Sequence, residues 1–310
     1  MAITLLEAAK INSGDVVRSA VIEMFARESD LLRALVFDDI AGNAYKYSRE
    51  QTLPGIGFRG VNEGFTESAG IINPLVESLA IAGGDLDVDR FIIQTQGQDV
   101  RSTHEAMKVK ALAAEITRVM IKGDSSTNIR EFDGLQRRIG GNQLIANSAS
   151  SGGAGLSFLK LDELIDAVDG CNALFMSKAM RRIITAGARN PTVTGYLTYG
   201  KDEFGRRVTM YNDIPILVPY SDNGGTEPIA FDEAYAGGGT ANGTSIYALA
   251  IGDGRMKAIQ NGTMSVRDLG EMQSGPPVYR TRVEWYVSLV IEHGRSAGRL
   301  SSISNAAATA

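Results

Sequence analysis

The chain has 310 residues, 44% hydrophobic and 22% charged, a composition that describes a folded protein with a sizeable core and excludes a disordered one. A formal net charge of −5 argues against a dedicated nucleic-acid binder, although a local basic patch can sit inside an acidic total. One cysteine, Cys171, and two histidines, His104 and His293, exclude an intramolecular disulfide and leave no His/Cys cluster for zinc.

Residues 1–7 carry neither a basic n-region nor a long apolar run, so no signal peptide is expected. No later segment has the roughly eighteen uninterrupted apolar residues of a membrane span. The first forty residues read as an arm with short helices. Asp15 is placed to cap a helix over 15–28 with Val17, Val21, Met24 and Phe25 on one face, and a second apolar run covers 31–37. Such an arm can pack on its own domain or on a neighbouring chain.

From 43 to 74 the character changes. Tyr45, Tyr47 and Arg49 alternate as in a strand, 53–60 is turn-like, and 61–72 is polar and glycine-bearing with little to fill a core. The pattern predicts a projecting hairpin. A two-stranded ribbon is poorly stable unless it lies on something, and the expected support is another molecule. Residues 75–93 read as strand, with Asp85, Asp87 and Asp89 on one side and Leu86 and Val88 on the other.

A long helix is predicted over 99–122. Val109, Leu112, Ile116, Val119 and Met120 form one stripe, Asp99 and Glu105 lie early, and Arg118 and Lys122 lie late, in keeping with the helix dipole. Gly123 is expected to cap it with φ > 0. At 1.5 Å per residue the helix is about 36 Å long, a beam on which other elements can hang.

Residues 140–155 read as a loose Gly/Ser/Asn region. Leu161, Leu164, Ile165 and Val168 then make a short amphipathic helix ended by Gly170, 173–176 is a buried strand, and Ser177 caps a helix carrying Met180, Ile183 and Ile184. Short strands follow over 208–211 and 214–219, then a soft loop over 221–227. The clearest strand covers 281–292, with Val283, Trp285, Val287, Leu289 and Ile291 on one face. At about 40 Å it matches the long helix, which fits an α+β layer. The tail after Ser304 is expected to be mobile.

No motif argues for catalysis. Gly55, Gly57 and Gly60 fit G-x-G-x-x-G but lack the buried strand before and the helix after that pyrophosphate binding requires. Asp85, Asp87 and Asp89 start like a calcium loop, yet Arg90 and Gln96 stand where glycine and glutamate are needed, so a solvated or interface-facing strand edge is expected. Cys171 reads as a structural thiol and His104 as a surface residue. No catalytic residue, cofactor or metal is expected.

The order of arm, projecting hairpin, strand, long helix, mixed region and long terminal strand resembles the major capsid protein of tailed bacteriophages (siphophages), with the Hong Kong 97-like fold. Tyr47-Ser48-Arg49-Glu50 and 53–64 are similar to the family's extended loop, and 83–92 to the strand entering its spine helix. Residues 107–111 and 123–135 resemble the spine helix and the turn after it, and Ala297-Gly298-Arg299-Leu300 the C-terminal end. The resemblance implies an α+β fold with an N-terminal arm (1–42), an extended β-hairpin loop (43–74), a peripheral domain (75–155 and 255–292) holding the spine helix on a β-sheet, and an axial α/β domain (156–254 and 293–310).

It further implies hexamers and pentamers in an icosahedral shell around double-stranded DNA in a virion, assembled in a host cytoplasm without a membrane. Some members begin with a long scaffolding segment that is not seen here, so either a separate scaffold protein serves or such a segment is not needed; the implied partners are a separate scaffold protein, a portal and decoration proteins. Arg49, Phe58, Arg59, Glu63 and Glu67 are the candidate inter-subunit contacts. Two other readings compete: an encapsulin-type nanocompartment enclosing a cargo protein, and a nucleotide-dependent enzyme built on the glycine tip.

Overall fold

A computed structural model describes residues 3–4, 29–96, 99–187, 197–201, 207–219, 227–240, 242–273 and 275–309. The arm helix expected over 15–28 and most of the loop over 221–227 lie outside them. Two sheets and a separate ribbon carry the described chain. The first, six-stranded sheet runs β1 (Ile3–Thr4), β2 (Val36–Asp39), β12 (Met256–Gln260), β14 (Val278–Ile291), β13 (Ser265–Glu271), with β5 (Ala80–Asp89) pairing along β14. The second, seven-stranded sheet runs β6 (Leu144–Ala146), β15 (Ala297–Ile303), β11 (Thr244–Leu249), β7 (Ala173–Phe175), β10 (Ile214–Leu217), β9 (Arg207–Tyr211), β8 (Leu197–Lys201). The ribbon pairs β3 (Ala44–Thr52) with β4 (Ile71–Ser78).

The apolar run at 31–37 packs on its own chain. Ser29 caps α1 (Asp30–Ala34), and its hydroxyl lies 2.9 Å from that of Thr117 on the long helix, both residues fully buried. Leu31, Leu32, Leu35 and Phe37 are buried with them in the first core. After β5 the chain turns into α2 (Arg90–Gln96), where 90–93 had been expected as strand. The Asp89 carboxylate accepts the Phe91 N–H at 2.7 Å, a local bond that starts a helix despite the β-branched residues that follow.

The long helix, α3 (Asp99–Lys122), has the predicted bounds, and its whole predicted stripe is buried. It packs on β5 and β14. There Trp285, 1% exposed, lies 5.2 Å from the Phe37 ring and donates its indole N–H to Gln260 at 3.1 Å. Gly123 ends the helix but without positive φ. Its need is space: a Cβ there would collide with the carbonyls of Val119 and Phe132, because the chain after the turn returns onto the helix end.

The returning turn is held by Asp124, which accepts from the Ser126 hydroxyl (2.6 Å) and N–H (2.9 Å), the Thr127 hydroxyl (3.0 Å) and Arg137. These donors, the Ser126 bonds first, hold its carboxyl down at about 2, against an ordinary 3.8. A depressed folded-state pKa gives stability that is present above the ordinary value and lost as pH falls through the folded one. The gap in urea midpoint between the native chain and Asp124→Asn should therefore be constant from about pH 7 to 5 and close between about pH 4 and 2. A gap that persists at the acid end would show that the carboxylate does not hold the turn.

Beyond the turn lie α4 (Leu135–Arg138), α5 (Phe158–Ala167) and α6 (Lys178–Gly187). Ser177 caps α6 as expected, accepting the Met180 N–H at 3.2 Å. Residues 140–155 are not uniformly loose, because β6 pairs in parallel with β15. The tail is tied down: Thr309 exchanges backbone bonds with Leu156 (2.7 Å) and Phe158 (3.1 Å). Small polar side chains do not prevent anchoring when the backbone itself finds partners.

Candidate assembly surface

The ribbon β3–β4 has a root and a tip with different surroundings. Along β3 the side chains of Tyr45, Tyr47 and Arg49 are half-buried, while Lys46, Ser48 and Glu50 face solvent, as the alternation predicted. The half-buried face rests on the chain's own body. The Tyr45 hydroxyl donates to Glu292 at 2.6 Å, and Arg49 donates to the Ile291 carbonyl at the end of β14. From β4, Glu77 accepts from both terminal nitrogens of Arg138. The root thus finds its support within the chain, where the sequence pointed to another molecule.

At the centre of the root sits Lys257, whose side chain is 3% exposed. Its ammonium lies 3.0 Å from Asp38, 3.0 Å from Glu292 and 3.2 Å from Asp253, and 5.0 Å from the Tyr45 ring centroid. Burial alone would lower its pKa, but the bonds to Glu292, Asp38 and Tyr45 outweigh it and the pKa rises. One cation therefore joins the arm strand, the hairpin and the end of β14. The sequence signal was a lone lysine inside Met256-Lys257-Ala258-Ile259-Gln260, a run buried at every position.

The tip, residues 53–70, holds no strand or helix. Phe58 and Ile56 are almost fully exposed, at 107% and 96%, with Val61 at 92% and Leu53 and Phe65 also exposed. Arg59 lies over the Phe65 ring at 5.3 Å and donates to the Glu63 carbonyl at 3.1 Å, while the Glu63 carboxylate accepts the Gly60 N–H at 2.8 Å. Glu67 is exposed. Of the candidate contacts, Arg59 and Glu63 thus come together at the tip with Phe65, Phe58 stands bare beside them, and Arg49 is occupied at the root.

On the six-stranded sheet, register places Asp85 opposite Arg282 and Asp87 opposite Arg280. Both pairs close at 2.7 Å, Arg282 and Arg280 respectively drawing the two carboxyls below their ordinary range. Asp85 and Asp87 are exposed on β5, which among the described residues pairs with β14 alone, so the strand is the solvated edge expected, with its two carboxylates answered by arginines of the same chain. Among the described residues no group of three or more His, Cys, Asp or Glu side chains is placed to hold a metal ion. Among them, too, no helix is long and apolar enough to cross a membrane.

No family model matches the sequence, and no curated protein matches it. Solved structures do match. The holo-SrpI encapsulin complex of Synechococcus elongatus PCC 7942 superposes with a TM-score of 0.65 at 14% identity, over 90% of this chain and 89% of that one. A structure from Microbacterium phage Oxtober96 gives 0.62 at 13% identity over 89% and 91%, and the capsid of a native GTA particle 0.57 at 13% over 86% and 87%. The fold is the Hong Kong 97-like capsid fold. The likeness runs along most of the chain.

Proposed function

We propose that the chain is the major capsid protein of a tailed bacteriophage, assembling as hexamers and pentamers into an icosahedral shell around double-stranded DNA. The observation that carries this reading is the bare apolar tip on a rooted hairpin, set on a capsid fold. A tip whose aromatic and aliphatic side chains find no cover on their own chain needs neighbouring copies to cover them. Many such modest contacts sum to a large obligate interface. The acidic total suits a container whose wall does not grip the phosphate backbone tightly. Residues 1–42, 43–74, 75–155 with 255–292, and 156–254 with 293–310 serve as arm, extended loop, peripheral domain and axial domain. Arg59, Phe58, Glu63 and Glu67 meet neighbouring subunits. A scaffold, a portal and decoration proteins complete the particle.

The likeness to an encapsulin complex supports a second reading, a shell around a protein cargo. Native particles treated with nuclease and then opened separate the two. Protected DNA is the expected result, and a stoichiometric second protein without DNA would favour the cargo shell.

The subunits are held without covalent cross-links in this proposal. An isopeptide bond needs a lysine amine that reaches across the interface, and Lys46, the one lysine in 43–74, stands on β3 near the root. The tip offers Arg59, whose delocalised guanidinium is a poor nucleophile. Particles boiled in detergent should run as one band near 33.1 kDa. A ladder resistant to reductant would contradict this.

A further inference from the structure

A basic recess lies between α6 and the β8–β9 ribbon, at one edge of the seven-stranded sheet. Arg181, Arg182 and Thr185 line it from the helix, and Tyr199, Arg207 and Thr209 from the ribbon, around a cavity of about 530 Å³. Pairing register puts Tyr199 opposite Thr209 and Lys201 opposite Arg207, so these four side chains share one face. The Arg207 guanidinium sits over the Tyr199 ring, 3.7 Å from its centroid.

Two cations facing each other across a ladder repel, and the pair is unfavourable unless an anion lies between them. The contrast with β5–β14 is direct: there each arginine facing β5 meets an aspartate. Here, among the described residues, no carboxylate pairs with Arg181, Arg182, Lys201 or Arg207. Among the described residues, positive charge is therefore concentrated and exposed here without a paired carboxylate, on one face of a chain whose total is −5.

We infer that this recess binds the phosphate backbone of nucleic acid without regard to base sequence. Guanidinium forks match phosphate oxygens, and threonine hydroxyls serve the same acceptors. An acidic peptide is the poorer fit, because the recess offers no deep apolar pocket to anchor a side chain; Ala186 is its only aliphatic wall among the described residues. The inference rests on the container reading for its biological setting, as a sparse set of contacts between an acidic wall and its contents.

The test uses the purified full-length chain and a short fluorescein-labelled duplex of mixed sequence, read by anisotropy across a salt titration. A triple variant, Arg181→Ala, Arg182→Ala and Arg207→Ala, is compared with a control of equal charge loss, Lys46→Ala, Arg130→Ala and Arg267→Ala. The triple variant should lose at least about tenfold in affinity at low salt, and its log–log salt slope should fall by about 3, for three lost phosphate contacts. The control should stay within about twofold of the native chain, since its cations lie outside the recess. Equal losses in both variants, no duplex binding by the native chain, or preference for polyglutamate over the duplex would each overturn the inference. Sedimentation of the same samples reports assembly separately: shells that form from a native chain with no affinity for the duplex sink this inference alone, and duplex binding by a chain that never assembles sinks the container reading alone.

Discussion

Deletion of residues 51–67 should leave a folded chain that no longer closes shells. The cut removes Leu53, Ile56, Phe58, Val61 and Phe65, all exposed, and none of the bonds that root the hairpin. Tyr45–Glu292, Arg49–Ile291 and Glu77–Arg138 all lie outside it. Glu50 would be joined to Ser68, so that Ser68, Ala69 and Gly70 bridge to β4, a length that hairpins commonly use. Covering one such side chain is worth about 1.5–3 kcal/mol. Losing five per subunit removes more than a marginal contact between subunits holds. Circular dichroism and the melting temperature should stay near those of the native chain while sedimentation shows capsomers or monomers. Closed particles of normal size from the deleted chain would show that the tip is dispensable.

Lys257→Met should be the most damaging single substitution at the root. It leaves Asp38 and Glu292, 28% and 15% exposed at the side chain, facing each other without their shared cation. Breaking a buried pair typically costs about 3–5 kcal/mol. Because Asp38 and Asp253 reach solvent, the expected loss is near the lower end, about 3 kcal/mol in urea denaturation. Adding Glu292→Gln should restore part of it, since the double variant has one fewer uncompensated carboxylate. A single variant as stable as the native chain would mean that hydrogen bonds alone hold the hairpin root.

The elements legible in the sequence are those whose burial is one-sided. The long helix showed itself by a stripe at spacings of three and four, and β14 by the alternation of Val283, Trp285, Val287, Leu289 and Ile291. Elements buried on both faces or built of small residues left no such signal. β12 is buried throughout, so its five residues have no period. β15 reads Ala297-Gly298-Arg299-Leu300-Ser301-Ser302-Ile303, weak strand formers held in place by β11 on one side and β6 on the other. A Cβ at Gly298 would press at 2.9–3.0 Å on Val168 and Leu164, so the side chains that seat α5 on the sheet would have to shift to admit one.

The hairpin was legible from what it lacked, a supply of core residues, and the bare tip agrees. Its rooting was not, because Tyr45, Arg49 and Glu77 meet partners far along the chain that only the fold brings near. The basic recess was hidden for the same reason, its arginines coming from a helix and a ribbon apart in sequence.

Electron imaging of the purified full-length protein tests the central claim most directly. The account predicts closed shells with five- and six-fold clusters of subunits, each cluster joined to the next by the hairpin tips. A monodisperse monomer or small oligomer across salt and protein concentration, with the tips bare, would contradict it.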